Sequence, residues 1–279
     1  MRTASLDGRL VLIRDGAAVD VAEASGGRFG PDAMSMFADW DAFRAWADTA
    51  SGTAVPVETA RLGAPVPAPG QIFAIGVNYR EHADEAGYPP DSLPVTFTKF
   101  LSCLTGPDTT VELPAGNVDW EVELVVAIGR GGHRIPRASA WEHVAGLTVG
   151  QDLSERVAQL EGSRPQYSLA KSHPGFGPTG PWLVTPDEFA DPADLAISCS
   201  LDGELLQSSR TSRMIYDIPE LIARLSAVVT LSPGDLIFTG TPAGVGNART
   251  PKRFLHAGEV LVSEIEGIGT LTTRFSGGQ

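Results

Sequence analysis

Short apolar runs recur along this chain, some alternating with polar residues and some continuous, and Gly, Pro, Asn and Asp punctuate them; that rhythm predicts many short strands and few helices. Near the start, Arg9 to Arg14 and Ala17 to Val21 read as strands flanking the turn Asp15-Gly16. Trp40, Phe43, Ala47 and Ala50 fall at helical spacing, which predicts a helix over 40–50. The stretch Leu62 to Gly70 carries Pro65, Pro67 and Pro69, which favour extended backbone and interrupt regular structure. A boundary placed there divides a small N-terminal domain, residues 1–68, from a larger one, residues 69–279. Beyond it, strands are expected at Ile72 to Gly76, Glu121 to Ile128, Leu183 to Thr185, Ile197 to Leu201, Leu236 to Thr239, Val260 to Ile265 and Gly269 to Phe275. Ile218 to Val229 is the clearest helix there, and Asp202-Gly203 is the expected hairpin turn. The fold class is therefore mainly β (α+β), with a closed or layered sheet rather than alternating βαβ units.

Composition narrows the partners. Of 279 residues, 42% are hydrophobic and 20% charged, the profile of a soluble globular protein. A net charge of −13 argues against nucleic acid, whose phosphates need a basic footprint. A small anionic substrate requires local positive charge from a metal, Lys or Arg. The two cysteines, Cys103 and Cys199, are too few for a disulfide framework and point to a reduced, cytoplasmic protein. No apolar run is long enough for a bilayer span, so no membrane partner is expected.

Candidate chemistry begins at Asp119-Trp120-Glu121-Val122-Glu123. In a strand, alternate residues share a face, so Glu121 and Glu123 project together with Asp119 leading them. They form either a solvated acidic face or part of a site for a hard divalent cation. Asp152 follows the apolar run Leu147 to Val149, at a strand end or as a helix N-cap. Arg156 and Gln159 lie one helical turn apart and could meet one carboxylate. Lys171 opens a Gly- and Pro-rich stretch to Trp182 that reads as a rigid irregular loop; beside a bound anion its ammonium could stabilise an enolate, otherwise it is a solvated lysine. His82 and Glu85 face alike if their segment is helical, either as a base that activates water or as an ordinary surface contact. The loop Thr239-Gly240-Thr241-Pro242-Ala243-Gly244-Val245-Gly246 could bring backbone N–H groups and a hydroxyl to an anionic oxygen, though its glycine spacing is not a dinucleotide fingerprint.

Taken in order, these motifs resemble the fumarylacetoacetate hydrolase family from about Gln71 to the end. The resemblance rests on Gly76-Val77-Asn78-Tyr79 with His82 and Glu85, Asp119 to Leu124, Asp152 with Arg156 and Gln159, Lys171 before Gly177 to Trp182, Gln207 with Thr211, and Thr239 to Gly246. It implies a β-roll of layered, rolled mixed sheets with few helices, a small N-terminal α/β domain and a homodimer. It also implies Mg²⁺ or Mn²⁺, with Ca²⁺ able to substitute, on Glu121, Glu123 and Asp152; catalytic roles for His82, Glu85 and Lys171; and substrate contacts from Tyr79, Arg156, Gln159, Gln207, Gly240 and Thr241. Asp119 then becomes a strand-entry or supporting residue. Two positions depart from the family's pattern: Gln151 stands where many members have Asn, and Val157 where an acid often follows the arginine.

The implied reaction is hydrolysis of a C–C bond in an acylpyruvate-like diketo acid such as fumarylpyruvate, leaving a metal-bound pyruvate enolate. The same core could decarboxylate oxaloacetate, or isomerise or hydrate an unsaturated 2-oxo acid in aromatic catabolism. A binding protein of another class, catalytically silent and cation-stabilised, would not need His82 and Lys171.

Overall fold

The computed structural model describes residues 1–89 and 91–277. Its largest sheet runs, in spatial order, Ala54–Pro56, Ala17–Asp20, Arg9–Arg14, Arg2–Leu6, Gly177–Val184, Val144–Gln151, Val122–Ile128, Leu236–Phe238, Ile72–Gly76 and Val95–Thr98, with Leu62–Gly63 and Leu104–Thr105 paired at its side. The pairing is antiparallel except where Leu236–Phe238 meets Ile72–Gly76 and where Leu104–Thr105 meets Gly177–Val184. A second sheet orders Glu204–Arg210, Ala196–Leu201, Val260–Ile265, Gly269–Gly277 and Asp108–Leu113. These mixed, layered sheets with few helices bear out the expected fold class.

The Val122–Ile128 strand shows why the layers form. Every residue in it is buried, the composition expected of a strand covered on both faces. Val122, Leu124, Val126 and Ile128 enter the core shared with Ile197, Leu261, Leu271 and Phe275 of the second sheet. Val125 and Ala127 point the other way, into a core with Leu10, Leu12, Met36, Trp40, Phe43 and Phe238. Glu121 and Glu123 share the parity of Val125, so the period of two sets both acids on the face turned away from the second sheet, where further along the strand Val125 and Ala127 pack on the N-terminal segment. That segment is tied to the large sheet by Arg2–Leu6, whose Arg2 and Thr3 pair with Val184 and Leu183.

Several elements differ in extent from the sequence reading. The first long helix is Trp40–Ala47, capped by Asp39 and preceded by a 3-10 segment, Ala33–Asp39; the later one is Ile218–Ser226, capped by Asp217. The stretch expected to be a loop up to Trp182 is instead strand from Gly177, reaching Val184. Its prolines are accommodated because pairing with Val144–Gln151 shifts register between Leu147 and Val149, opposite Gly180-Pro181. The Asp202-Gly203 turn is a two-residue hairpin, with Leu201 opposite Glu204 and φ of 49° and 85° at its two residues.

Gly150 lies opposite Glu123 in the ladder, where a Cβ would sit 2.4 Å from Val125 Cγ2 and 2.9 Å from Phe238 Cε1. Gly150→Val is therefore expected to lower stability by about 1–3 kcal/mol through overpacking. Chemical denaturation checks this; an unchanged midpoint would contradict the close approach of these strands.

Candidate active site

Glu121, Glu123 and Asp152 converge, each offering an oxygen within 4.8 Å of the others, and all three are buried. Asp152 follows the Val144–Gln151 strand directly, and Glu155, not Asp152, caps the Arg156–Gln159 helix. Of the two readings of Asp152, the strand end is the observed one. Asp119 stands behind the triad, accepting from the backbone N–H of Gly246 and Asn247 and from Arg156.

Three cations meet these four carboxylates. Lys171 Nζ lies 2.8 Å from Glu121 Oε2, 2.7 Å from Asp152 Oδ2 and 2.7 Å from Ser154 Oγ, so all three of its protons are engaged. Lys99 Nζ donates to Asp152 Oδ1 at 2.6 Å and to the carbonyls of Lys171 and Phe176. Arg156 contacts Asp119 Oδ2 and Glu121 Oε1, each at 2.7 Å, and donates to Gln159 Oε1 at 2.7 Å. Glu123 forms no ion pair with any described residue; Gly240 N–H donates to its Oε2 at 2.8 Å.

This arrangement splits the acids electrostatically. Burial alone would raise the Glu121 carboxyl, but Lys171 and Arg156 outweigh it and hold the group down at about 2. Glu123 goes the other way, well above the ordinary carboxylate range, because burial and then the neighbouring Asp152 and Glu121 charges disfavour its ionised form. Burial works against the Lys171 ammonium too, yet Asp152 and Glu121 prevail and raise it above the ordinary lysine value.

A cavity of about 370 Å³ opens over Glu121 and Lys171 and is lined also by His82, Glu85 and Thr241. His82 and Glu85 lie on the Arg80–Glu85 helix, and one turn of it brings His82 Nδ1 to 2.7 Å from Glu85 Oε1. The other Glu85 oxygen accepts from Gly244 N–H at 2.9 Å, which ties this helix to the glycine-rich loop. Just before the helix, Val77 holds φ of 62°, a left-handed conformation that a β-branched residue rarely adopts. The adjacent Asn78 side chain over-determines it by bonding Thr239 O at 2.7 Å, Tyr216 O at 3.0 Å and Tyr216 N–H at 2.8 Å.

The remaining expected substrate contacts occupy varied positions. Gln159 and Thr241 line the cavity, as does Arg156. Gln207 lies behind them, accepting from Val122 N–H and donating to Thr241 Oγ1 and Pro242 O. Gly240, at φ of 100°, turns its N–H to Glu123, and a Cβ there would meet Asn78 Cβ at 2.7 Å. Tyr79 is fully buried, its hydroxyl has no partner among the described residues, and burial followed by the Glu123 charge pushes that phenol above its ordinary value. Gln151, one methylene longer than the Asn of many family members, accepts from Glu121 N–H at 2.9 Å and donates to Ser263 Oγ at 2.8 Å, joining the site to the second sheet. Val157 is exposed.

Two groups of residues went unread in the sequence. Lys99 shares the parity of Val95 and Phe97, and a lysine in the apolar phase of a strand pattern is the signal that marks it. Arg249 and Lys252 also line the cavity, on a basic stretch just after the glycine-rich loop.

The donor set fits a hard divalent cation. It is made entirely of carboxylate oxygens, and Glu123 is a buried carboxyl with no ion-pair partner among the described residues, so a cation there would favour its ionised form. The comparisons with known proteins agree in direction. Residues 71–276 match the family described as fumarylacetoacetate (FAA) hydrolase, C-terminal. A Mycobacterium smegmatis protein provisionally assigned as HpcE is 55% identical, with a TM-score of 0.96 over 99% of both chains. Maleylpyruvate hydrolase from Sphingobium sp. SYK-6, solved in complex with manganese(II) ion and pyruvate, is 30% identical with a TM-score of 0.81 over all of both chains. Oxaloacetate tautomerase FAHD2B, a mitochondrial protein of Bos taurus, is 44% identical over 213 residues, 76% of this chain and 68% of that protein.

Because the folded-state value of Glu123 lies above the ordinary 4.5, its ionisation costs stability, and the chelated protein should weaken as pH rises above that value. Glu123→Gln removes the cost. In chelator at pH 8 the variant should melt about 2–4 °C higher than the parent, the shift expected for about 1 kcal/mol in a protein of this size. Mn²⁺ should raise the melting temperature of the parent and not that of the variant. A variant that melts lower in chelator, or that still responds to Mn²⁺, would contradict the assignment.

Proposed function

The chain belongs to the fumarylacetoacetate hydrolase family, and from that premise we propose that it hydrolyses a C–C bond of an acylpyruvate-like diketo acid. The observation that carries this reading is the His82–Glu85 pair lining the same cavity as Glu121 and Lys171. A divalent cation, Mg²⁺ or Mn²⁺, held by Glu121, Glu123 and Asp152 would supply Lewis-acid polarisation of the 2-oxo and carboxylate oxygens. The manganese and pyruvate in the maleylpyruvate hydrolase structure support both the metal and the product class.

The chain's own residues provide the rest. Glu85 occupies Nδ1 of His82 and fixes the ring, which leaves Nε2 to take a proton from water. The resulting hydroxide adds to the distal carbonyl of the substrate, the C–C bond to the pyruvate methylene breaks, and its electron pair passes into the pyruvate enolate. A proton returned to that carbon completes pyruvate, and the other fragment leaves as a carboxylic acid. Lys171, held between Glu121 and Asp152, keeps positive charge beside the enolate as it forms.

The 44% identity to oxaloacetate tautomerase FAHD2B favours a second reading, enol–keto interconversion of oxaloacetate. There His82 would carry a proton between oxygen and carbon without an attacking water. Turnover with Mg²⁺ or Mn²⁺ on acylpyruvates and on enol-oxaloacetate separates the two. We expect acylpyruvate cleavage by the parent protein and a loss of about 10²- to 10⁴-fold in His82→Ala, the range for removal of a general base. Tautomerisation of oxaloacetate with no cleavage of any acylpyruvate would overturn the hydrolase reading.

A further inference from the structure

Besides Glu121, the lining of the same cavity includes positive charge that the proposed chemistry does not use. Lys252 is exposed there, forms no ion pair with any described residue, and donates from Nζ to Asn247 Oδ1 at 2.9 Å. Arg249, in the same lining, is held in place by Leu206 O at 3.0 Å and lies over the Trp120 ring at 5.7 Å, with Glu204 3.9 Å from its Nη1. Their loop is not free to drift. The backbone N–H groups of Gly246 and Asn247 bond Asp119, the carboxylate that also grips Arg156, so this part of the lining shares an anchor with the arginine that pairs with Glu121.

Lys252 lines a cavity and has no described carboxylate to pair with, so its ammonium is available to an anion that enters there. We infer that Lys252, supported by Arg249, binds the distal carboxylate of the substrate and makes the enzyme selective for 2-oxo diacids over 2-oxo monoacids of equal length. The inference rests on the reading that a 2-oxo acid group sits at Glu121, Glu123 and Asp152. It does not depend on which bond is then broken.

Equilibrium binding tests it without turnover. 2-Oxoadipate and 2-oxohexanoate have the same number of carbons and differ only in the terminal carboxylate, and neither carries a scissile 1,3-diketone. Calorimetric titration of the Mn²⁺-loaded protein should show 2-oxoadipate bound about tenfold more tightly, the value of one charge-assisted contact. Lys252→Met should abolish that preference and Lys252→Glu should reverse it, with the affinity for 2-oxohexanoate unmoved in both. Lys252→Arg should preserve it. Absence of any preference in the parent protein, or a preference that survives Lys252→Met and Lys252→Glu, would overturn the inference. Failure of acylpyruvate cleavage alongside an intact diacid preference would instead count against the hydrolase reading only.

Discussion

The structure depends on gathering four carboxylates in one buried place. Asp119, Glu121, Glu123 and Asp152 would repel one another and resist desolvation if left alone, and the fold answers with Lys99, Lys171 and Arg156 at direct contact. The three cations pair with Asp119, Glu121 and Asp152, and Glu123 is left with no ion pair among the described residues, its carboxyl held above the ordinary range. A divalent cation held there would favour the ionised form of Glu123 and leave the cluster with a net positive charge suited to an anionic ligand. The cluster is thus strained as an isolated object and balanced as a binding site.

The surrounding architecture serves this balance. The Val122–Ile128 strand sets the acids on one face by its period of two, and Gln151 fastens Glu121 to the second sheet. Gly240 gives Glu123 the one backbone donor that a side chain at that turn would obstruct. Glu85 joins His82 to Gly244 N–H, so the imidazole and the glycine-rich loop keep a fixed relation. Arg249 and Lys252 add positive charge to the cavity lining although the chain as a whole is acidic. Among the described residues no helix is long and apolar enough to cross a membrane.

Much of this was legible in the sequence because it is local. Alternation put Glu121 beside Glu123, helical spacing put His82 beside Glu85, and an Asp-Gly pair marked the hairpin at Asp202-Gly203. What escaped is long-range. Nothing near Lys99 shows that its ammonium reaches Asp152, 53 residues away, and nothing near Gln207 shows that it braces Thr241. Arg156 illustrates the same limit: its spacing with Gln159 suggested a substrate clamp, and the fold also commits its guanidinium to Asp119 and Glu121. The strand at Gly177–Val184 was hidden by prolines that only an irregular partner register accommodates.

On the proposed reading, the carboxyl of Glu123, left without an ion pair among the described residues, makes the triad a one-cation site at which a 2-oxo acid binds. Oxalate, a planar dianion that mimics the pyruvate enolate, tests it most directly when titrated calorimetrically into the protein with and without Mn²⁺. The account predicts one oxalate per chain, bound only when one Mn²⁺ per chain is present. Oxalate binding of equal strength in chelator, or Mn²⁺ binding that leaves oxalate affinity unchanged, would contradict it.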